Sequence, residues 1–266
     1  GMEFILTGLD IEEKAQIITD ALFNSVGGKE QFDEVSILLD RTDKKDPNSN
    51  EEAMASLRIS VKSKDADLVG RMFTAKMVEL ALANYPGLYM GGAVRSGGPV
   101  LVYWPALIDS KHIKETVHID GKEINVMPTN QLDLEETYYQ KQPVEIPPPP
   151  SGETLNKPLG ELFGARSGDK GGCANIGVWA KSENAFSFLN NFLTVEKIKQ
   201  LMPDISEFEI DRYELPNILS LNFYIHDILE DGVSSNNRKD GQAKSLGEYL
   251  RAKYADIPKS LFEDNI

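Results

Sequence analysis

The chain has 266 residues and carries 42 acidic against 28 basic side chains, a formal charge of −14. Such a surface excludes a general nucleic-acid binder and opposes anionic membranes, both of which require a basic footprint. A single cleft can still be cationic, because net charge does not describe one site. Cys173 is the only cysteine, so an internal disulfide and a cysteine-rich zinc site are both excluded. No apolar run approaches the length of a membrane span. The start carries Glu3 and Asp10 where a signal peptide would be basic. A cytoplasmic protein is the expectation, with no nucleic acid and no membrane among its partners. Gly1 ahead of Met2 reads as a remnant before a start codon.

In chain order, Asp10 followed by Ile11, Ala15, Ile18 and Leu22 predicts a capped helix over 11–23. Residues 35–39 and 57–61 read as strands, the second with one wet face, around a polar loop at 43–52. Asp65 or Asp67 is placed to cap a long helix through Ala83 whose stripe is Leu68, Met72, Ala75, Val78 and Leu82, stopped by Pro86-Gly87. Residues 99–108, with Tyr103 and Trp104, read as a buried strand disturbed by Pro105. Asp120-Gly121 signals a two-residue hairpin turn. The run Pro147 to Pro150 favours a stiff extended segment. It divides the chain into a sheet-and-helix domain over 1–145, a linker over 146–157 and a second domain over 158–266.

In that second part, 159–165 and 174–180 read as strands joined by a glycine-rich polar loop. Helices are expected over 184–191 and 194–202, the latter capped by Thr194. Residues 208–215 and 218–225 form a strand pair across Pro216-Asn217, and 242–254 a last helix. The order strand-strand-helix-strand-strand-helix predicts an α+β fold with a four-stranded sheet covered by helices on one face.

The segment from Ala165 to Gly177 is the most informative. Glycines permit close backbone approach, and successive N–H groups in such a turn can hold an anion. Arg166 would add a bidentate grip and Lys170 a point charge, with Ser167, Gly171, Gly172 and Asn175 around them. The alternative is a tight structural turn in which Arg166 and Asp169 satisfy each other. Ser167-x-x-Lys170 matches the nucleophile motif of penicillin-recognising enzymes only formally, because the glycines oppose the helix that motif needs. No nucleotide-binding glycine pattern is present. A similar string surrounds Arg95 between Gly92 and Gly98, either a second anion loop or a chance match. His226, beside Asp227, can act as acid or base, or can be a satisfied histidine at a hairpin end. His112 and His118 have no recognised ligand spacing, so no metal site is expected, and the cofactor stays unknown. Cys173 reads as a packed thiol rather than a nucleophile.

The ordered set Ala165-Arg166-Ser167-Gly168-Asp169-Lys170-Gly171-Gly172, Ala174-Asn175-Ile176-Gly177, Arg212-Tyr213-Glu214-Leu215-Pro216-Asn217, Leu221-Asn222-Phe223 and Lys244-Ser245-Leu246-Gly247-Glu248-Tyr249 resembles the C-terminal region of the acyclic terpene utilisation AtuA-like family. The match is specific over about 158–252 and weaker over the first 130 residues. The resemblance implies a ferredoxin-like C-terminal domain and a setting of branched or terpenoid acid breakdown through acyl-CoA esters. It does not bring an established reaction. Family members are longer, with an N-terminal glycine-rich region, so this chain resembles their C-terminal part. Cys173 stands where they carry Asp, Asn or another polar residue.

Two functional readings stay open. In the first, the chain is an enzyme, or the C-terminal part of one, acting on a small anionic or CoA-linked substrate. Arg166 and Lys170 hold the anion, and Asp169 or His226 moves a proton. In the second, it is a non-catalytic assembly module. A homo-oligomer is expected.

Overall fold

The computed structural model describes residues 1–82, 85, 87–92, 96–126 and 144–263. Of the positions singled out above, Ala83, Pro86 and Arg95 lie outside the described residues. The chain folds as two compact units, Gly1–Leu101 and Val102–Ile266.

In the first unit, β1 (Met2–Thr7) leads into α1 (Ile11–Ser25), then β2 (Glu34–Asp40), β3 (Met54–Lys62), α2 (Phe73–Leu82) and the short β4 (Tyr89–Met90). The sheet order is β2-β3-β1-β4 with all neighbours antiparallel. That is the split β-α-β arrangement. Alternation in β1 and β3 buries Phe4 and Leu6 with Ala55, Leu57 and Ile59. Against them pack Ile11, Ala15, Ile18 and Leu22 of α1, four residues at helical spacing as the sequence predicts. Phe23, Phe32 and Phe73 close one end of this core, with ring centroids 5.3 to 6.4 Å apart.

Two details of this unit differ from expectation. Asp10 precedes α1 in a left-handed conformation, and its side chain caps nothing. The second helix is broken by non-helical backbone at Gly70, so its buried face falls on Phe73 and Met77, whereas Met72 and Val78 are exposed. Asp65 does cap the approach, accepting from the N–H groups of Asp67 and Leu68.

The second unit begins with exposed chain. Residues 99–108 form no strand, and Trp104 is 86% and Leu107 fully exposed, which corrects the buried strand expected there. The hairpin β5 (Glu115–Ile119) and β6 (Lys122–Val126) turns at Asp120 and Gly121, both at positive φ, as the dipeptide predicts. Then follow β7 (Thr154–Pro158), β8 (Gly164–Lys170), β9 (Cys173–Trp179), α3 (Glu183–Phe192), α4 (Val195–Leu201), β10 (Ile210–Leu215), β11 (Ser220–Ile225), α5 (Leu246–Arg251), β12 (Tyr254–Pro258) and α6 (Ser260–Glu263).

The main sheet is fully antiparallel in the order β10-β11-β9-β8. Taken cyclically from β11 through α5 to β8, β9, α3 with α4, and β10, it repeats the layout of the first unit. One face packs Ala174, Ile176, Val178, Leu221, Phe223 and Ile225 against Phe186, Leu189 and Leu193, Ile198 of α4 and Leu246 and Leu250 of α5. β7 pairs with β12, tying the strand ahead of the main sheet to the strand after α5. Ile146 packs on this core, and Ser187 Oγ donates to the Pro147 carbonyl.

The expected glycine-rich loop is strand. β8 runs through the polar segment to Lys170, and the connection to β9 is only Gly171-Gly172, with Gly171 at φ +67. The strand expected over 159–165 is instead a short helical turn after β7, and the last helix is confined to α5, followed by β12. No helix among the described residues is long and apolar enough to cross a membrane.

Candidate functional site

Helices cover one face of the β10-β11-β9-β8 sheet, and the residues of the other face are largely polar. Side chains alternate along each strand, so the cross-strand register sorts the two faces. On the open face, one row carries Arg166, Gly177, Asn222 and Tyr213. The next carries Gly168, Asn175, Tyr224 and Asp211. A third carries Lys170 opposite Cys173, and His226, whose backbone N–H donates to Glu209. The row beyond Arg166 holds Gly164, Trp179, Ser220 and Leu215. Trp179 lies over Gly164, where a Cβ would meet the indole at 2.2 Å.

The sequence-predicted site residues divide between the faces. Arg166, Lys170, Asn175 and His226 share the open one. Asn175 donates to Asn222 Oδ1 at 2.8 Å, and Lys170 Nζ donates to the Asp169 carbonyl at 2.9 Å. Arg166 is exposed and forms no ion pair among the described residues. Ser167 and Asp169 point the other way. Ser167 Oγ accepts from the Gly247 N–H at 2.9 Å, and Asp169 Oδ1 lies 3.7 Å from Lys244 Nζ. Asp169 and His226 therefore do not converge, and Arg166 and Asp169 do not pair.

Lys244 adds a third cation at the β8 edge. A side chain at position 168 would come within 3.0 Å of its ammonium, so Gly168 leaves it room. Gly171 and Gly172 shape the turn for packing as much as for conformation. A Cβ on Gly172 would meet the Glu230 carbonyl at 2.2 Å, and one on Gly171 the Tyr103 ring at 2.8 Å.

The partner of His226 is Asp211, whose Oδ2 lies 2.9 Å from Nε2. This bond, with the carboxylate charge, raises the imidazole above its ordinary range and holds the carboxyl below its own. Asp227, the sequence neighbour, contributes only a smaller charge effect. Tyr213 Oη donates to Asp211 Oδ2 at 3.3 Å, and the carboxylate charge pushes that phenol up. Tyr224 packs its ring edge-on to His226, with centroids 4.9 Å apart. Its hydrogen bond to Cys173, reinforced by burial, pushes it to about 12. Cys173 is half-buried and also accepts from the Asp227 N–H at 3.4 Å.

Tyr213 stood out only within the segment Tyr213–Asn217, and Asp211, Tyr224 and Glu209 carried no signal of their own in the sequence. The one signal that could have found them is register. Once Pro216-Asn217 marks a strand connection, residues 209, 211 and 213 fall opposite 226, 224 and 222. Glu209, Asp211 and His226 bring one ligand atom each within 4.8 Å of one another, a cluster that linear spacing does not reveal.

The acyclic terpene utilisation family protein AtuA matches residues 1–119, and the AtuA ferredoxin-like domain matches residues 157–255. The chain belongs to the AtuA-like family. No curated protein and no solved structure matches it. The ferredoxin-like match of this AtuA-like chain begins within β7 and ends within β12, so it takes in the whole β10-β11-β9-β8 sheet, its helices and every residue of the open face.

Proposed function

We propose that the open face of the C-terminal sheet binds a small carboxylate or an acyl-CoA ester, and that the chain acts on it as an enzyme. The observation that supports this most is the placement of two cations, Arg166 and Lys170, on the same sheet face as the His226–Asp211 pair. The cations hold the anionic group. His226, oriented by Asp211, is the group positioned to move a proton. β8 and β11 lie two strands apart, so head group and reacting carbon would be separated by roughly 10 Å. Between them Gly177 carries no side chain, which leaves a low place in the floor, whereas the Lys244 ammonium lies over Gly168. Trp179, Tyr213 and Leu215 are 38 to 51% exposed and offer apolar surface for a branched acyl group.

Isothermal titration of a panel of branched acyl-CoA esters and free carboxylates tests this. The parent should bind at least one class, and the Arg166→Ala/Lys170→Ala double variant should lose it. Equal binding by both removes the proposal.

A second reading, assembly into a homo-oligomer, is favoured by the β5–β6 hairpin. Val117, Ile119, Ile124 and Val126 lie on one face of it and are 39 to 55% exposed. A two-stranded hairpin is at best marginally stable alone, so this face gains from being covered. Sedimentation velocity of the parent and of the Val117→Lys/Ile124→Lys variant distinguishes a specific oligomer from a monomer.

A further inference from the structure

The β10–β11 pairing places three classical donor groups on one small area of the open face. Glu209 immediately precedes β10 and Asp211 is its second residue, so the two acids lie close together at the start of that strand. His226 follows the last residue of β11 and lies beside Glu209, its N–H bonded to the Glu209 carbonyl at 3.0 Å. One carboxylate oxygen from each acid and one imidazole nitrogen all lie within 4.8 Å of one another. The closest two, Asp211 Oδ2 and His226 Nε2, are 2.9 Å apart. Two ligands around a tetrahedral zinc ion at about 2.1 Å stand about 3.4 Å apart, so the pair needs little adjustment to share an ion. Glu209 is exposed and can swing inward at little cost.

Groups outside the three donors hold them in place. The Tyr213 hydroxyl is bonded to Asp211, and the Tyr224 ring packs edge-on against the imidazole. Such outer contacts fix ligand orientation in metal sites. The His226 and Asp211 side chains are 33 and 44% exposed and Glu209 is exposed, which leaves room for water or a substrate oxygen to complete the coordination.

We infer that Glu209, Asp211 and His226 form a binding site for one divalent transition-metal ion. Two carboxylates with one imidazole suit Mn²⁺ or Zn²⁺ and exclude the softer, thiolate-preferring ions. On binding, the ion takes the place that a proton holds between His226 Nε2 and Asp211 Oδ2, so loading releases protons. This inference goes beyond the acyl-ligand reading and shares His226 and Asp211 with it, since a bound ion would occupy the imidazole nitrogen that the acyl-ligand reading uses for proton transfer. Glu209 has no part in that reading, and Arg166 and Lys170 have none in this one.

The test uses the full chain after chelator treatment. The sequence has three histidines, His112, His118 and His226, so their ring resonances are readily assigned. Substoichiometric Mn²⁺ should broaden His226 selectively, and calorimetry with Zn²⁺ should show one site per chain. Glu209→Gln, a change at an exposed side chain, should weaken both at least tenfold while leaving the Asp211–His226 pair and the fold intact. Equal broadening of the three histidines, no effect on His226 at stoichiometric Mn²⁺, or less than a tenfold loss in Glu209→Gln overturns the inference. Loss of acyl-ligand binding in the Arg166→Ala/Lys170→Ala variant would leave it untouched.

Discussion

His226 Nε2 lies 2.9 Å from Asp211 Oδ2, although the two residues are 15 positions apart, one on β10 and the other just past the end of β11. The pairing of β10 with β11 makes that contact, and the residue next to His226 in sequence, Asp227, does not provide it. The contact sets the protonation of both groups. His226 is raised and Asp211 lowered, each first through their shared hydrogen bond.

The first prediction follows from those directions. In metal-free protein, Asp211→Asn should lower the titration midpoint of His226, read from its ring resonances. A raised histidine stabilises the fold fully below its unfolded value, about 6.5, and loses that contribution as pH rises through the folded value. A lowered aspartate contributes above about 3.9 and loses it as pH falls through its folded value. Parent and variant should therefore differ most in denaturation midpoint between about pH 4 and 6.5, and converge in alkaline buffer. An unchanged His226 midpoint in Asp211→Asn would contradict the pairing.

Gly172 and Gly177 make a contrasting pair. A Cβ at 172 meets the Glu230 carbonyl at 2.2 Å, whereas one at 177 finds nothing nearer than the Arg166 carbonyl at 3.8 Å. Gly172→Ala should cost about 1–3 kcal/mol, the usual range for forced overpacking. Gly177→Ala should change stability by less than about 1 kcal/mol. Thermal denaturation of the two variants checks both, and a reversed order would mean the turn is built differently.

Arg212 lies on the helix-covered side of β10 and is a structural residue. Its guanidinium donates to the carbonyls of Leu193 and Asn190, to Asn190 Oδ1 and to Glu214, so it closes the end of α3 onto the sheet. Arg212→Ala leaves those helix-end carbonyls without their charged donor and should cost about 2–3 kcal/mol, measured by urea denaturation. Arg212→Lys should recover only part, because an ammonium cannot reproduce the fork. Full recovery would show that charge alone matters there.

Phe223 is fully buried at the centre of the same sheet. Phe223→Ala should cost about 3–5 kcal/mol through lost packing and a residual cavity. Its neighbours on the strand, Asn222 and Tyr224, face the open side, so Asn222→Ala should cost far less. Comparable losses at 222 and 223 would contradict the division into a covered and an open face.

Much of the fold was legible because its elements carry strong periodic signals. Ile11, Ala15, Ile18 and Leu22 announce α1, the alternation of 57–61 announces β3, and Thr194 caps α4 through the Lys197 N–H as its position suggests. The second helix misled because a break at Gly70 shifts the phase of its buried face, which a regular stripe cannot anticipate. Apolar composition alone misled at 99–108, where nothing among the described residues covers Trp104 and Leu107. The segment Gly164–Lys170 was hidden by its polarity and its glycines. A strand with one open face and an edge position needs few apolar residues, and Gly171-Gly172 is itself a hairpin signal that the composition outweighed. The candidate site was half legible. Arg166, Lys170, Asn175 and His226 stand out as residue types, but their shared face, the opposite placement of Asp169 and the arrival of Asp211 and Glu209 exist only in the register.

The most direct test of the account is the binding of acyl-CoA esters and carboxylates to the open sheet face, followed by amide chemical-shift mapping. The account predicts that a bound ligand perturbs β8, β9 and β11 around Arg166, Lys170, Asn175 and His226, and that Arg166→Ala/Lys170→Ala abolishes the perturbation. Binding that leaves these strands unperturbed, or that survives the double variant unchanged, would contradict it.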